Sequence, residues 1–311
     1  MTTQPPDGII PAPHDTDPAN PPPTVAAPDT AVQLERPARA LLGWMPRELG
    51  ERALLANRLG VEPTGEQREQ ARRAREAVAA RPAGVDQQDL VAAPPPELAE
   101  HVDRLRAQPA SAAMLSEGWD IALVDLARVC AFQPWVFADS AVERVQEVKP
   151  EDARSIATVT LPIDHSTIVH AQFDQAKQAF VIASPNPNLK VTGSFAMMVQ
   201  EAQAPGYVFV VNVMPSFVQV AHFQGRYFLR DGYHRAFGLL ERGITHAPVF
   251  LRDFDAVENL TPPGMLPQAA YLGDRPPLLR DYHDDLVAAS VRLPAHQKMI
   301  VIQALELSVQ G

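Results

Sequence analysis

One cysteine, Cys130, stands in 311 residues. No disulfide can close within the chain, and a reducing compartment is expected. Aromatic residues are only 6% of the total, so the core has to rest on Leu, Val, Ile and Ala. No apolar run approaches the ~18 residues that a bilayer-spanning helix needs. The opening MTTQPPDGIIPAPHD has neither the basic start nor the apolar core of a signal peptide. A cytoplasmic protein with no membrane partner is the expectation. Positive charge is scarce too: 27 Lys and Arg face 37 Asp and Glu, for a formal net charge of -10. Neutralising a run of phosphates takes clustered cations, so neither strong duplex DNA binding nor a broad anionic-membrane footprint is expected. A small local anion site remains open. No P-loop, dinucleotide fingerprint or serine-nucleophile elbow is present.

What is there is a large apolar fraction, 46%, and an uneven distribution of proline. Nine prolines fall in the first 30 residues among Asp, Thr, Ala and Asn. Such a segment cannot offset its ordering entropy by burial, so residues 1–35 are expected to be a disordered tail, with NPPPTVAAP a candidate polyproline ligand for a protein partner. Residues 36–115 predict a helical arm, a second candidate docking element. In it PTGEQREQARRAREAVAARP opens with Thr64 and Gln67 at capping-box spacing. Its Arg68, Arg72, Arg73 and Arg75 are interleaved with Glu66, Glu69 and Glu76, which predicts a self-paired solvated face. PPPELAEHVDRLRAQ places Leu98, Val102 and Leu105 on one side of a further helix.

Residues 116–258 predict the main domain. WDIALVDLARVCAF reads as an apolar helix, with Cys130 as a buried structural thiol. SIATVTLP, STIVHAQF, QAFVIAS, NLKVTG, YVFVVNV, FVQVAHF and RYFLRD read as short β-branched strands, two of them separated by SPNPN. FQGRY predicts a tight hairpin, 233–242 a helix, and APVFLRDF a last strand. Residues 259–311 predict a helical segment interrupted at Pro294. The fold class expected is α+β, a mixed sheet with packed helices.

The stretch from Asp231 to Arg235 carries the chemistry. Asp231 and Gly232 alone would turn a strand into a helix, yet His234 and Arg235 occupy the first helical turn, where the dipole disfavours positive charge. On a helical wheel Tyr233, Ala236, Phe237 and Leu240 share an apolar arc, which leaves His234 and Arg235 on the other. A glycine, free backbone amides, a histidine and an arginine at a helix start suit an anion. Structural roles fit as well: Asp231 as a cap, Tyr233 as core, His234 as a satisfied histidine, and Arg235 paired with a carboxylate.

FVQVAHFQGRYFLRDGYHRAFGLLERGITHAPVFL resembles the ParB/sulfiredoxin superfamily, whose members run from a hairpin into a Gly-x-His-Arg-like helix start and then a short strand with a Pro-Val pair. The Asp-Gly-x-His-Arg form is closest to ParB-like nuclease domains and to the free-serine kinases of that fold. The resemblance implies that Gly232, Tyr233, His234 and Arg235 hold the phosphates of a nucleoside di- or triphosphate, with Mg2+ as a candidate companion. It makes Asp231 and His234 the catalytic candidates, Asp231 aiding a metal or a proton transfer, in phosphoryl transfer or phosphate-ester hydrolysis. Tyr233 stands where sulfiredoxins carry their catalytic cysteine, so that chemistry is not expected. A nucleotide-responsive module without turnover and a docking scaffold are the alternatives. Two other clusters have ligand chemistry without diagnostic spacing: Asp164, His165 and His170, and then Asp281, His283, Asp284 and Asp285, which read as acids ahead of a helix.

Overall fold

The computed structural model describes residues 35–303 apart from 57, 59, 164–169, 177, 185–187, 200–203, 261–263 and 296–297. The proline-rich tail, Asp164, His165 and the middle of SPNPN lie outside the described residues. In chain order the first elements are β1 (Glu35–Ala40), α1 (Arg47–Leu54), α2 (Gly65–Ala79), β2 (Val91–Ala92), α3 (Ala99–Ala107) and α4 (Pro109–Ser116). Next come β3 (Asp120–Asp125), β4 (Trp135–Phe137), α5 (Ala138–Val145), α6 (Ala153–Thr160), β5 (Gln172–Asp174) and β6 (Ala179–Ser184). Then follow β7 (Leu189–Val199), β8 (Ala204–Val213), β9 (Gln219–Phe223), β10 (Arg226–Asp231) and α7 (Tyr233–Glu241). The chain continues with β11 (His246–Asp253), α8 (Gln268–Tyr271), β12 (Ala289–Pro294) and β13 (Lys298–Gln303). The mixed α+β class is as expected from the sequence.

Local signals decide the elements around the site. The β9–β10 hairpin turns through Gln224 and Gly225, both at positive φ (51° and 74°), the pattern of a two-residue hairpin turn. After α7 the chain re-enters the sheet as β11, parallel to β9 and antiparallel to β3. The resulting sheet has the order β10-β9-β11-β3-β2. Thr64 and Gln67 form the capping box of α2, with Arg72 and Arg73 paired to Glu69 and Glu76 along its surface. Leu98, Val102 and Leu105 are buried together against Trp119 and Phe250.

Three expectations fail, each for a physical reason. WDIALVDLARVCAF is not a helix: it forms β3, a 3-10 turn and a loop. β3 lies between β11 and β2 with its apolar side chains buried, and such a continuous run looks the same to periodicity as a buried helix. SIATVTLP is not a strand but most of α6, because Asp152 caps the helix through the Arg154 and Ser155 amides. This cap outweighs the β-branched content. The helix expected near the C-terminus is β12 and β13 instead. β12 buries Ala289, Val291 and Leu293 in strict alternation, a strand's period of two, and pairs antiparallel with β1 over six residues, Glu35 opposite Pro294 to Ala40 opposite Ala289.

One continuous core runs from Ala38 to Leu293, and the segment expected to be a helical arm contributes Leu41, Leu42, Trp44, Ala53 and Ala74 to it. Cys130 is buried there, and burial pushes its thiol up to about 12, which leaves it unreactive. Among the described residues no helix is long and apolar enough to cross a membrane.

Candidate functional site

The site begins where β10 meets α7. A register shift between Leu229 and Asp231 bends the strand end, and Gly232 takes φ 95°, the left-handed region. A Cβ on Gly232 would stand 2.7 Å from Val218 Cγ2 and 3.0 Å from Val218 Cα, so the position requires glycine on two counts. The Asp231 carboxylate accepts from the Gly232 amide at 2.6 Å and from the Ser216 hydroxyl at 3.1 Å. Asp231 therefore stabilises its own turn and is held in place by the loop ahead of β9.

Arg235 differs from expectation. Its side chain is buried, and its guanidinium donates to the Val159 carbonyl at 3.2 Å, to the Ser216 carbonyl and, at 2.7 Å, to the Ser216 hydroxyl. Burial brings its pKa down to about 10, still protonated at neutral pH. This arginine is a strut linking α7 to the end of α6 and to Ser216, with no reach to a bound phosphate. Tyr233 is core, as its structural reading foresaw. Its hydroxyl accepts from the Phe132 amide at 3.0 Å, its ring meets Phe132 and Tyr282 edge-on, and burial holds the phenol above its ordinary range.

His234 faces the β4–α5 side, its ring stacked 6.1 Å from Phe137. Its Nε2 is buried without a hydrogen-bond partner. Burial, reinforced by Arg144, Arg36 and Arg235, brings its pKa down to about 4. The ring is neutral at physiological pH and supplies no positive charge. The five signature residues thus divide: Asp231 and Tyr233 border a cleft, Gly232 packs its turn against Val218, and His234 and Arg235 are turned into the protein.

That cleft, about 1050 Å³, lies over the ends of β10 and β11. Its wall includes Arg230, Arg252 and Lys190, the acids Asp231, Asp253, Asp255 and Glu258, and the neutral Gln133, Asn188 and Asn259. Arg230 and Arg252 both lie over the rings of Trp119 and Phe254, at 5.1 to 6.0 Å from their centroids. These two rings meet edge-on at 5.7 Å and form a rigid backing for the guanidinium groups. Arg230 also donates to Gln219 at 2.8 Å, and its Nε is buried without a partner. Asp253 accepts from or pairs with the His222 ring at 2.6 Å. These arginines were missed from the sequence. The available signal was a repeat: β10 and β11 both close on Leu-Arg-Asp, at 229–231 and 251–253.

Of the other clusters, the one at Asp281–Asp285 is structural, and the other has Asp164 and His165 outside the described residues. His170 is exposed. Asp281 lies in a 3-10 turn, Leu279–His283, that leads towards β12 and not into a helix. It accepts from the Leu278 amide and pairs with Arg81 at 3.0 Å. Asp284 pairs with Arg81, Asp285 with Arg39, and His283 stacks on Phe237 at 4.2 Å. Among the described residues no three His, Cys, Asp or Glu side chains are grouped to hold a metal ion. Comparisons with protein-family models, with curated proteins and with solved structures return no match.

Proposed function

We propose that the cleft beside Asp231 binds a nucleotide or another small phosphorylated molecule, in keeping with the ParB/sulfiredoxin resemblance of the Asp231–Arg235 signature, and that Asp231 takes part in phosphoryl transfer or phosphate-ester hydrolysis. One observation carries the reading: Arg230, Arg252 and Lys190 converge with Asp231 on one cleft at the start of α7. The roles differ from those the signature implies. Arg230 and Arg252 take the phosphate-facing part, since a planar guanidinium matches a phosphate in a two-point contact and both are braced on Trp119 and Phe254. The first turn of α7 supplies backbone amides with no partner inside the helix, while the Gly232 amide is taken by Asp231. Arg235 and Ser216 position Asp231. The volume, about 1050 Å³, stands just above the roughly 300–1,000 Å³ typical of ligand clefts. A Mg2+ ion would be carried largely by the phosphates and touch one or two of the cleft carboxylates, as this ion commonly does.

The test is thermal stabilisation by ATP, ADP, GTP and pyrophosphate. Ligand at a hundredfold excess over its Kd should stabilise the fold by about 2.7 kcal/mol. Arg252→Ala should remove that shift, and His234→Phe should retain it. Absence of any shift with every one of these compounds overturns the reading. Asp231→Asn preserves an acceptor for the turn and removes the charge, so turnover should fall while binding persists. Binding without turnover in the wild type would leave the nucleotide-responsive module as the function.

A further inference from the structure

The β7–β8 ribbon is unlike the rest of the surface. From Val191 to Val199 and from Ala204 to Val213 there is no Asp, Glu, Lys, Arg or His. The two strands pair only with each other among the described residues, which leaves the outer edge of each open. An isolated two-stranded ribbon is marginal in water, and three or more strands with a covered apolar face are the usual minimum. This ribbon is apolar on both faces. Tyr207 and Phe209 project to one side, while Phe195, opposite Val208, projects to the other. Tyr207 is 78% exposed, Met198 59%, Phe195 53%, Phe209 48% and Met197 47%. Only the base is covered, where Leu189 and Val213 pack with Ile182.

We propose that the ribbon is a dimerisation element, in which β8 pairs antiparallel with β8 of a second copy of this chain across a two-fold axis. The product is one four-stranded sheet, β7-β8-β8-β7. Three observations select this occupant. First, the outer edge of β8 is regular and uncharged from Gly206 onward, past Pro205, whereas β7 carries a register shift between Val191 and Gly193 that distorts its edge. Edges left flat and uncharged are those that pair with another strand. Second, two chains of charge -10 repel, so a contact between copies belongs where charge is missing. The same net charge disfavours an anionic membrane, and the charge-free part of the ribbon beyond Lys190 offers nothing to a charged partner. Third, Tyr207 and Phe209 project from the same face of β8, so antiparallel β8–β8 pairing about Val208 sets Tyr207 of each copy beside Phe209 of the other as cross-strand neighbours.

Light scattering coupled to size exclusion should give two chain masses for the wild type at micromolar concentration. Tyr207→Lys with Phe209→Lys, and separately Tyr207→Glu with Phe209→Glu, should each give one chain mass. Both residues are exposed in the single chain, so both variants should keep a cooperative melt. A two-fold interface pairs residue i of one copy with j of the other and j with i, so with the axis at Val208 positions 207 and 209 of one copy meet 209 and 207 of the other. Mixing the Lys and Glu variants should therefore restore the dimer. A wild type that is monomeric, a Lys variant that stays dimeric, or a mixture that stays monomeric would overturn the proposal. So would a monomeric wild type that floats with phosphatidylcholine vesicles, which would make the ribbon a lipid-inserting element. None of these readouts depends on what the cleft binds.

Discussion

At the scale of single residues, His234 is the most informative departure from expectation. Histidine beside arginine at a helix start suggests a phosphate site because both are pictured as charged. Burial removes that premise, since His234 has a pKa of about 4 in the folded chain against an ordinary 6.5. The sign of its effect on stability follows. Below pH 6.5 the unfolded chain takes up a proton that the folded chain refuses, so stability falls from there down to about pH 4. Above pH 6.5 the contribution is constant. The slope approaches about 1.4 kcal/mol per pH unit for one such group. His283, also held down by burial, acts with the same sign. The His234→Phe variant should accordingly lose less stability than the wild type between pH 6.5 and 4, as read from denaturant midpoints across that range. It also removes a buried nitrogen that has no partner and restores a ring against Phe137, so stability at pH 7 should be equal or higher. Parallel pH profiles for the two proteins would show that the ring is charged in the folded state.

At the scale of elements, the unit from β9 to β11 was legible because each part carries a local signal: the hairpin turn, the glycine at 232, the apolar arc of α7 and the strand after it. What surrounds α7 was not legible. A helical wheel divides a helix into one buried and one exposed side, but α7 is covered on both. Phe237 and Leu239 lie in the main core, while α5 approaches so closely that a Cβ on Gly238 would stand 2.7 Å from the Ala141 carbonyl oxygen. The arc expected to face a ligand therefore faces α5, α6 and Ser216. Arg235 is the consequence, a buried cation with protein oxygens as its partners. Arg235→Ala should cost about 3 kcal/mol, since it strands the Val159 and Ser216 carbonyls and loosens the loop that holds Asp231. Arg235→Lys should recover only part of this, because an ammonium cannot reproduce the forked contact. Urea unfolding of the two variants measures both effects. An Arg235→Ala protein with the wild-type midpoint would return the arginine to the list of free cations.

At the scale of the whole molecule, the boundaries read from composition meet a core that does not respect them. The sequence reads as changing from helical to β-rich texture near residue 116, yet β1 and β2 precede that point and α5, α6 and α7 follow it. Pairing across large separations, however, leaves no mark on local sequence. β1 and β12 are about 250 residues apart and still form one ladder, with β4 on the other side of β1. Leu41 and Leu42, just after β1, are fully buried in the same core as Phe132, Phe228 and Tyr282. A fragment spanning 116–258 keeps the cleft side chains Arg230, Asp231 and Arg252. It also keeps β3, β9, β10 and β11, so the central sheet is nearly complete. What it loses is the β1–β12 layer, the α2 packing around Leu42 and the Tyr282 ring against Tyr233 and Phe237. That loss exposes the apolar side chains that now share one core with Leu41, Leu42 and Tyr282. The fragment should therefore show no cooperative thermal transition, whereas the full chain should unfold its β1–β12 body in one step. Near-UV circular dichroism on both, followed through a melt, makes the comparison. A fragment that melts cooperatively near the temperature of the full chain would mean that the sheet and α7 form a self-sufficient domain and that β1, α2 and β12 are additions to it.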